Sequence, residues 1–361
     1  MPWVTMADSW QCARVRLALL PKASSNRVYG ESAFDLTVAE LALVAEAAGL
    51  SLGEIERSEI GGVDHLIVEV DDDAAPLTAR AIAVLSNLSS LHALYELRPD
   101  GLLRPLEVAP LRCQDEDVVT IQRYPGKTNE AFTHLLVNAA LAAAHGGFER
   151  LLGGGRLRLL DPACGRGTSL NRAIVYGLDA VGIEHDDRDV DAYETFLLTW
   201  LKDKRLKHAV ERARLRKGRP APARRLVVTY GGGKDRSTHH KVEVVADDTA
   251  RTRDHVGARS IDLLVCDLPY GVQHGSRPVS GELQRGPADL LRDALPAWVE
   301  SLRPGGGVAL GWNTKTLSRS ALVERLMGSG LELARPADDT AFVHRVDRSI
   351  TRDVVVARRP A

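Results

Sequence analysis

The chain has 361 residues, 44% of them hydrophobic and 26% charged, and its formal net charge is −1. This composition is typical of a soluble globular protein with two domains or one large domain, and no apolar run approaches the roughly 18 residues of a membrane-spanning helix. The residues from Met1 to Cys12 lack a basic region followed by an apolar stretch, so they predict no secretory leader, and we expect a cytoplasmic protein.

The first part of the chain predicts a small α+β unit. Alternating apolar residues predict strands at 14–20, 64–70 and 93–97, and helical periodicity predicts helices at 32–48 and 77–88. Prolines and a glycine then interrupt the pattern, at Pro99, Gly101, Pro105 and Pro110. We therefore place a domain boundary near residue 118, with an N-terminal α+β domain at 1–118 and a second domain at 119–361.

Strands and helices alternate through the second domain. Strands are predicted at 156–160, 180–184, 242–246, 261–266 and 307–312, and helices at 130–144, 170–176, 288–302 and 319–329. A long polar helix starts near Asp189, and 341–348 with 352–357 predicts a closing hairpin. This alternation predicts an α/β fold with a doubly wound, mostly parallel, Rossmann-like sheet that binds ligands at the carboxyl ends of its strands.

The segment from Leu159 to Thr168 runs from an apolar strand into Asp161, a glycine-rich turn and a helix. Gly165 and Gly167 allow the backbone to approach a ligand closely, and N–H groups at the helix start can donate to a ligand carboxylate. Dinucleotide binding uses a similar turn. Asp161 would repel a pyrophosphate, however, and suits a ligand that carries an ammonium group.

The next two strand ends are also acidic. Glu184 follows Asp161 by 23 residues and can accept both ribose hydroxyls of a nucleoside. Asp247 and Asp248 end the following strand, where a carboxylate can accept a hydrogen bond from an adenine amino group. Each acid alone is compatible with a solvated loop, but three consecutive acidic strand ends favour a nucleoside ligand with an ammonium group.

Asp267-Leu268-Pro269-Tyr270-Gly271 follows the fourth strand of this domain. An aryl amine is a poor nucleophile because its lone pair is conjugated with the ring, so methyl transfer to it needs acceptors that hold its N–H bonds. The Asp267 carboxylate and the Leu268 carbonyl would be those acceptors, and Pro269 would stiffen the turn. Tyr270 offers a face for base stacking, worth roughly 1–3 kcal/mol. In isolation an Asp-x-Pro turn is more often structural.

These residues resemble a known family. The runs Asp161–Gly167 and Asp267–Gly271, in this order, are similar to the cofactor loop and acceptor motif of class I S-adenosylmethionine-dependent amino-methyltransferases. Asp-Leu-Pro-Tyr-Gly is similar to the tRNA guanosine-N2 methyltransferases that usually carry a THUMP domain. The stretch Lys127–Thr133 sits where those enzymes cover the methionine end of the cofactor. The resemblance covers residues 120–361 and implies a seven-stranded sheet whose last strand, around Val354, is antiparallel.

The N-terminal region carries a weaker resemblance. Phe34-Asp35-Leu36 with Ala39-Glu40-Leu41, and later Tyr95-Glu96-Leu97, look like the start and end of that family's N-terminal region. Residues 1–118 leave limited room for a ferredoxin-like unit together with a complete THUMP domain. We therefore expect a reduced THUMP-like or ferredoxin-like unit.

Charge is unevenly distributed along the chain. Residues 1–120 hold 9 Lys or Arg against 19 Asp or Glu, so the remainder is net positive. The densest basic stretch, Lys202 to Arg225, holds 11 Lys or Arg against 2 acids, on a predicted helix that runs into a Pro-rich link. Such a stretch can supply salt-sensitive contacts to phosphates, although a solvated charged helix is the alternative.

Cysteine and histidine spacing predicts no metal site, because no CxxC pair occurs and adjacent histidines on a strand point to opposite faces. The residues concerned are Cys12, Cys113, Cys164, Cys266, His239 and His240. Reduced thiols are the expectation for such separated cysteines in a cytosol.

The strand-end residues thus predict an S-adenosylmethionine-dependent enzyme that methylates an amino nitrogen, and the resemblance implies N2 of guanine in RNA as the target, with tRNA favoured. Expected cofactor contacts are Asp161, Ala163, Cys164, Gly165, Gly167, Thr168, Glu184, Asp247, Asp248, Thr128 and Phe132. Expected substrate contacts, beside the catalytic Asp267, Leu268, Pro269 and Tyr270, are Gly271, His274, Arg277, Lys204 and Arg205. Two alternatives stay open. The first is methylation of adenine or cytosine in DNA, or of a small molecule. The second is a non-catalytic role in binding RNA or a protein partner.

Overall fold

The structure of the protein, a computed structural model, describes residues 14–22, 27–71, 79–215, 223–231, 239–269 and 286–361. Within these ranges the strands form two separate sheets, one of five strands and one of ten. No helix in the described part of the chain is both long and apolar enough to span a membrane.

The five-stranded sheet is built from the N-terminal residues. Its elements are β1 (Arg14–Pro21), α1 (Arg27–Ala47), β2 (Ser51–Ile60), β3 (Val63–Asp71), α2 (Ala79–Leu85), β4 (Leu91–Leu97) and β5 (Leu103–Leu106). The strands lie in the order β2-β3-β1-β4-β5, and every pair is antiparallel. Strands β1 to β4 with the two helices follow the βαββαβ order of ferredoxin-like units. Leu36 and Leu41 of α1 share a core with Leu17 and Val68 of the sheet.

The ten-stranded sheet is built from the rest of the described chain. The helices are α3 (Asp117–Thr120), α4 (Glu130–Ala143), α5 (Gly147–Leu152), α6 (Thr168–Tyr176), α7 (Asp187–Asp203), α8 (Thr252–His255), α9 (Pro287–Ser301) and α10 (Arg319–Gly328). The strands are β6 (Arg158–Asp161), β7 (Asp179–Glu184), β8 (His208–Leu215), β9 (Ala223–Tyr230), β10 (His240–Ala246), β11 (Ile261–Asp267), β12 (Leu302–Asn313), β13 (Glu332–Leu333), β14 (His344–Arg345) and β15 (Thr351–Arg358).

The strand order is β13-β15-β12-β11-β6-β7-β10-β9-β8, with β14 paired to β15. The central pairs β12-β11, β11-β6, β6-β7 and β7-β10 are parallel. Strand β15, which contains Val354, runs antiparallel to β12. The predicted α/β fold with a doubly wound, Rossmann-like sheet is confirmed, as is the antiparallel direction of its last strand. The described sheet has ten strands rather than the seven that the resemblance implies, because β8, β9 and the two-residue strand β14 join it. The boundary near residue 118 and the THUMP-like character of the N-terminal region stay predictions.

Buried polar contacts join the N-terminal unit to α4. Glu40 on α1 accepts a hydrogen bond from Nδ2 of Asn138 on α4 at 2.6 Å and one from the backbone N–H of Ser89 at 3.0 Å. Burial raises the pKa of the Glu40 carboxyl above its ordinary value. The N-terminal unit is therefore packed against the same helix whose first turn reaches the candidate site.

Two parts of the chain differ from the sequence-based expectation. The basic stretch Lys202–Arg225 is not one helix: α7 ends at Asp203, and β8 and β9 then form an antiparallel hairpin beside β10. Strand β9 buries Leu226 and Val228, so burial along this hairpin follows a strand and outweighs the helical propensity of its charged residues. Strand β2 was also not predicted, since its mostly exposed, polar residues mask the alternation.

Candidate active site

Three acidic strand ends meet at one edge of the large sheet. Asp161 at the end of β6 pairs in register with Gly182 of β7, and Glu184 at the end of β7 pairs with Ala246 of β10. Asp247 follows directly, and its N–H donates to the Glu184 carbonyl at 3.0 Å. The sheet therefore brings together the carboxylates that are widely separated in the sequence.

Asp161 is a buried carboxyl with a perturbed acidity. Its Oδ1 accepts from the Ala163 N–H at 3.1 Å, and its Oδ2 accepts from the Ser169 hydroxyl. Burial raises the pKa of Asp161 to about 7, the two hydrogen bonds oppose that rise, and the nearby Asp267 and Glu184 charges add to it. A cation placed beside these carboxylates would offset both the cost of removing their charges from water and the repulsion between them.

The turn after β6 is shaped by its two glycines. Gly165 has φ +51°, and a Cβ added there would meet no atom within 4 Å in the described part of the chain. Gly167 has φ +77°, and a Cβ there would lie 2.4 Å from the Tyr193 ring. Gly165 therefore borders open space beside the carboxylates, whereas Gly167 is needed for close packing against α7.

The other predicted residues of this loop hold its conformation. The N–H of Cys164 donates to the Ile183 carbonyl at 3.0 Å, and its buried thiol has a pKa raised well above the ordinary value by burial. Thr168 is the first residue of α6, and its hydroxyl lies 3.2 Å from the Tyr124 hydroxyl. Cys164 thus serves to fix the loop against β7, a role that packing alone explains.

Glu184 is held by backbone donors on both oxygens. Gly165 N–H donates to Oε2 at 2.9 Å and Asp186 N–H donates to Oε1 at 2.8 Å. Burial raises the pKa of the Glu184 carboxyl. The fixed carboxylate stands directly beside the glycine turn, which is the arrangement expected of an acceptor for ribose hydroxyls.

Asp247 and Asp248 have different surroundings. Asp247 Oδ1 accepts from the Asp248 N–H at 2.9 Å, and its Oδ2 lies 2.7 Å from Nε2 of the buried His255. Asp248 caps the following 3₁₀ turn, Thr249–Arg251, by accepting from the Ala250 N–H at 2.9 Å. Sequence reasoning missed His255, because nothing in the local pattern connects residue 255 with a strand end eight residues earlier.

The acceptor motif begins at the end of β11. Asp267 Oδ2 accepts from the Thr128 hydroxyl at 2.8 Å and lies 3.3 Å from Nη2 of Arg352. The buried Leu268 donates its N–H to the Gly311 carbonyl at 2.8 Å, which ties the turn to β12. Pro269 is the last residue described before the gap. Tyr270, Gly271, His274 and Arg277 lie outside the described residues, so their assignments stay predictions.

The segment before α4 closes this end of the site. Asn129 caps the helix by accepting from the N–H groups of Ala131 and Phe132, at 2.9 and 3.2 Å. Phe132 is fully buried, its ring centroid is 5.3 Å from that of His344, and the Arg352 guanidinium lies 4.3 Å above it. Thr128 and Phe132 therefore lie near Asp267, and their predicted contacts with the cofactor stay predictions. Arg352 and His344 were not predicted from the sequence.

A cleft of about 310 Å³ opens beside this segment. Its lining is basic, with one acid among four cations, and consists of Arg123, Tyr124, Lys127, Thr128, Asn129, Glu130, Arg345, Val346 and Arg352. Lys127 is paired with Glu130 at 2.5 Å. Arg123 and Arg345 are exposed. Since Thr128 and Arg352 also contact Asp267, the cleft adjoins the acceptor motif.

Lys204 and Arg205, predicted to contact substrate, lie just beyond α7. Lys204 Nζ is 2.7 Å from Asp115 Oδ2 and 2.6 Å from Asp117 Oδ2. Arg205 has φ +55°, in the turn that leads to β8. No contact within the described ranges brings either residue to Asp267, and their role toward substrate stays a prediction. The described residues also contain no group of three or more His, Cys, Asp or Glu side chains arranged for a metal.

Comparisons with known proteins give distant structural similarities. No protein-family model matches the chain, and no curated protein matches its sequence. Among solved structures, TrmN from Thermus thermophilus is 13% identical over 96% of this chain and 100% of that chain, with a TM-score of 0.43. A TehB-like SAM-dependent methyltransferase from Corynebacterium glutamicum is 15% identical over 59% and 86%, with a TM-score of 0.32. An rRNA methylase from Streptococcus thermophilus is 11% identical over 63% and 96%, with a TM-score of 0.34.

Proposed function

We propose that the protein is an S-adenosylmethionine-dependent methyltransferase that modifies N2 of guanine in RNA, with tRNA as the favoured substrate. The observation that carries the proposal is the meeting of Asp161, Glu184 and Asp267 at one strand edge, close enough for each of the latter two to influence the acidity of Asp161. Two of these acids suit a cofactor, and the third begins a motif suited to an amino acceptor.

The residues fit the proposed cofactor. Asp161, a buried carboxyl with a raised pKa, would accept from an ammonium group, and Glu184, fixed by two N–H donors, would accept from ribose hydroxyls. The open space at Gly165 leaves room for the ligand beside them. N–H groups at the start of α6 would donate to its carboxylate, and Asp247 would accept from its adenine amino group. When bound, the cofactor supplies an electrophilic methyl group on a sulfonium.

The chain's own contribution at the acceptor end is to hold an amino group. The Asp267 carboxylate and the Leu268 carbonyl would accept hydrogen bonds from its two N–H groups. These hydrogen bonds would free the nitrogen lone pair from conjugation with the ring. Pro269 restricts the turn so that both acceptors keep one orientation, and Tyr270 would stack on the base. No strong general base is required, because a nitrogen that has gained positive charge loses its proton readily.

The basic cleft supports a polyanionic acceptor over a neutral small amine. Arg123 and Arg345 are exposed on it. Among the described residues of its lining, Glu130 is the only acid, and it is already paired with Lys127. Cations beside an acceptor site attract phosphates that flank a target base, with an affinity that falls as salt rises. This observation favours nucleic acid, and the choice of RNA guanine rests on the resemblance of Asp267–Gly271 to the tRNA enzymes.

Labelled methyl transfer tests the proposal directly. The purified chain is incubated with labelled S-adenosylmethionine and, separately, with bulk tRNA, rRNA, DNA and small amines, and digested nucleosides are identified by mass spectrometry. We expect N2-methylguanosine in the tRNA reaction. Methylated adenine or cytosine from DNA, or a methylated small amine, would replace the proposed substrate. Cofactor binding in the micromolar range by calorimetry without any transfer would identify a non-catalytic relative instead.

A further inference from the structure

Arg352, near the start of β15, carries a guanidinium buried beside the acceptor motif. The residue is 5% exposed, and its Nη2 lies 3.3 Å from Asp267 Oδ2. In the sheet, Arg352 pairs with Asn313 of β12 and with His344 of β14. The antiparallel last strand of the large sheet thus delivers a cation to the carboxylate at the end of β11, two strands away.

The guanidinium is held on an aromatic surface. It lies 4.3 Å from the centroid of the fully buried Phe132 ring, on the first turn of α4. The Phe132 ring in turn contacts the ring of His344, whose pKa burial lowers to about 4. His344 is therefore neutral near pH 7, and the positive charge beside Asp267 belongs to Arg352. Packing against the Phe132 ring limits the positions open to the guanidinium, which suits a group that must hold a charge beside Asp267.

A hydrogen bond reaches the same carboxylate oxygen from another element. Thr128, just before α4, donates its hydroxyl to Asp267 Oδ2 at 2.8 Å. Gly311 leaves little room on the remaining side, since a Cβ there would lie 3.1 Å from Asp267 Oδ1 and 2.9 Å from Phe132. A carboxylate offers about four lone-pair sites. The Thr128 hydrogen bond and the Arg352 ion pair on one oxygen therefore orient the group and leave lone pairs for an N–H group of the target amine.

We infer that Arg352 is a positioning residue for amino methylation, acting through Asp267. Together with Thr128, it fixes the position of the carboxylate. The inference rests on the proposed function, in which Asp267 accepts an N–H of the target amine. It assigns a role in the reaction to a residue of strand β15, which follows Asp267 by about 85 residues in the sequence.

The neighbouring residue on β15 provides a matched control. Asp353 is buried and pairs with Arg319 on α10, at 2.6 Å. It follows Arg352 directly, so its side chain points to the opposite face of the strand. Arg319→Met and Arg352→Met each break a buried ion pair that involves this part of β15. Arg319→Met does so without touching Asp267. It also removes the Arg319 hydrogen bond to the Ala337 carbonyl and the contact with the Trp312 ring, much as Arg352→Met removes the contact with Phe132.

Kinetics of the two variants separate positioning from stability. We expect Arg352→Met to lower kcat by about 100-fold, the scale of a misplaced reacting geometry, while the cofactor Kd changes by less than about twofold. Arg352→Lys keeps the charge without the planar fork and should recover part of the loss. Arg319→Met should lower Tm yet keep kcat near the wild-type value at temperatures well below Tm. A wild-type kcat in Arg352→Met, or an equal kcat loss in Arg319→Met, would overturn the inference.

Thermal unfolding gives a test that needs no substrate. Arg352→Met removes the Arg352 charge that pairs with Asp267, whereas Arg352→Met combined with Asp267→Asn removes both charges of the pair. We expect the Tm of the double variant to fall by less than the sum of the decreases in the single variants Arg352→Met and Asp267→Asn. Additive losses would contradict the coupling of Arg352 to Asp267 even if methyl transfer is observed. Coupled losses in a protein that transfers no methyl group would leave the pair standing and refute the proposed function alone.

Discussion

The two halves of the strand edge are held in different ways. The half proposed to bind the cofactor, called the cofactor half, is formed by Asp161, Gly165 and Glu184. Its carboxylates accept hydrogen bonds from backbone N–H groups, from Ala163 to Asp161 and from Gly165 to Glu184, and Asp161 also accepts one from the Ser169 hydroxyl. In the acceptor half, formed by Asp267, Thr128 and Arg352, side chains from two distant elements hold the carboxylate. Both halves use acids at strand ends, yet only the first is fixed by the backbone of its own turn.

The difference has a physical consequence for what each half tolerates. A backbone donor survives any side-chain substitution at its own position, provided that the turn keeps its conformation. A side-chain donor is lost with one substitution, even when the main chain is unchanged. We therefore expect the cofactor half to fail through changes in turn shape or in charge, and the acceptor half to fail through single side chains.

The largest effect is expected at Asp267. Asp267→Ala removes one of the two acceptors proposed for the target amine and should lower kcat by about 10³-fold, comparable to the loss of a preorganised hydrogen-bonding group. Cofactor affinity should change little, because Asp267 belongs to the other half of the edge. Steady-state methylation and calorimetric titration of S-adenosylmethionine measure the two quantities.

The exposed Asp289, paired with Arg292 on the surface of α9, is a suitable control for that variant. Asp289→Ala should leave both kcat and the cofactor Kd unchanged. If Asp267→Ala retained methylation, the acceptor mechanism would be wrong. If the same variant lost cofactor binding, Asp267 would contribute to the cofactor half as well, and the division into two halves would be wrong.

The next largest effect is expected at Asp161 and should depend on pH. Burial raises its pKa to about 7, and the proposed ammonium ligand needs the ionised carboxylate. Cofactor affinity should therefore increase as pH rises from about 5.5 to 7.5, by up to about tenfold per pH unit below the pKa. The ligand's own amino group stays protonated in most of that range. Asp161→Asn should weaken binding by about 10- to 100-fold and flatten the pH dependence, as calorimetry at several pH values would reveal.

In the ligand-free protein, ionisation of the Asp161 carboxyl as pH rises lowers stability, whereas it raises affinity for the cofactor. With a folded pKa of about 7 against an ordinary value of 3.8, the folded state keeps a proton that the unfolded chain releases between about pH 4 and 7. Stability without ligand should therefore decrease as pH rises through this window, and Asp161→Asn should remove that part of the decrease. A wild-type cofactor affinity that is constant with pH would refute the role assigned to Asp161.

The contrast between the halves also explains what the sequence could predict. Asp161, Gly165 and Glu184 could be predicted because a strand end followed by a tight turn is a local pattern, and sheet order then brings successive strand ends together. Arg352 and Thr128 could not be assigned to Asp267, since their contacts depend on how β15 and α4 pack. The hairpin β8–β9 was missed for a related reason: its charged residues favour a helix, and pairing with β10 decides the outcome.

The two glycines of the turn give a third prediction, of intermediate size. Both have positive φ, so Gly165→Ala and Gly167→Ala share a backbone cost of about 1–2 kcal/mol. Only Gly167→Ala also pushes a Cβ into the Tyr193 ring, which should cost a further 1–3 kcal/mol or so of overpacking. Gly165→Ala should instead weaken cofactor binding, because its Cβ enters the open space beside Asp161. Denaturant unfolding and calorimetry on both variants separate the effects, and equal stability losses would contradict the packing role of Gly167.

The smallest effect is expected at Lys204, and it distinguishes two basic regions. The Lys204 ammonium is within 2.7 Å of Asp115 and Asp117, so a phosphate would have to displace these partners. Arg345 is exposed on the cleft that adjoins Asp267. Arg345→Ala should reduce the slope of log affinity for tRNA against log salt by about 1, the value for one phosphate contact, whereas Lys204→Ala should leave the slope nearly unchanged. Fluorescence anisotropy over a salt series measures both slopes. A larger change of slope in Lys204→Ala than in Arg345→Ala would indicate that the RNA contact lies at the end of α7 rather than in the cleft.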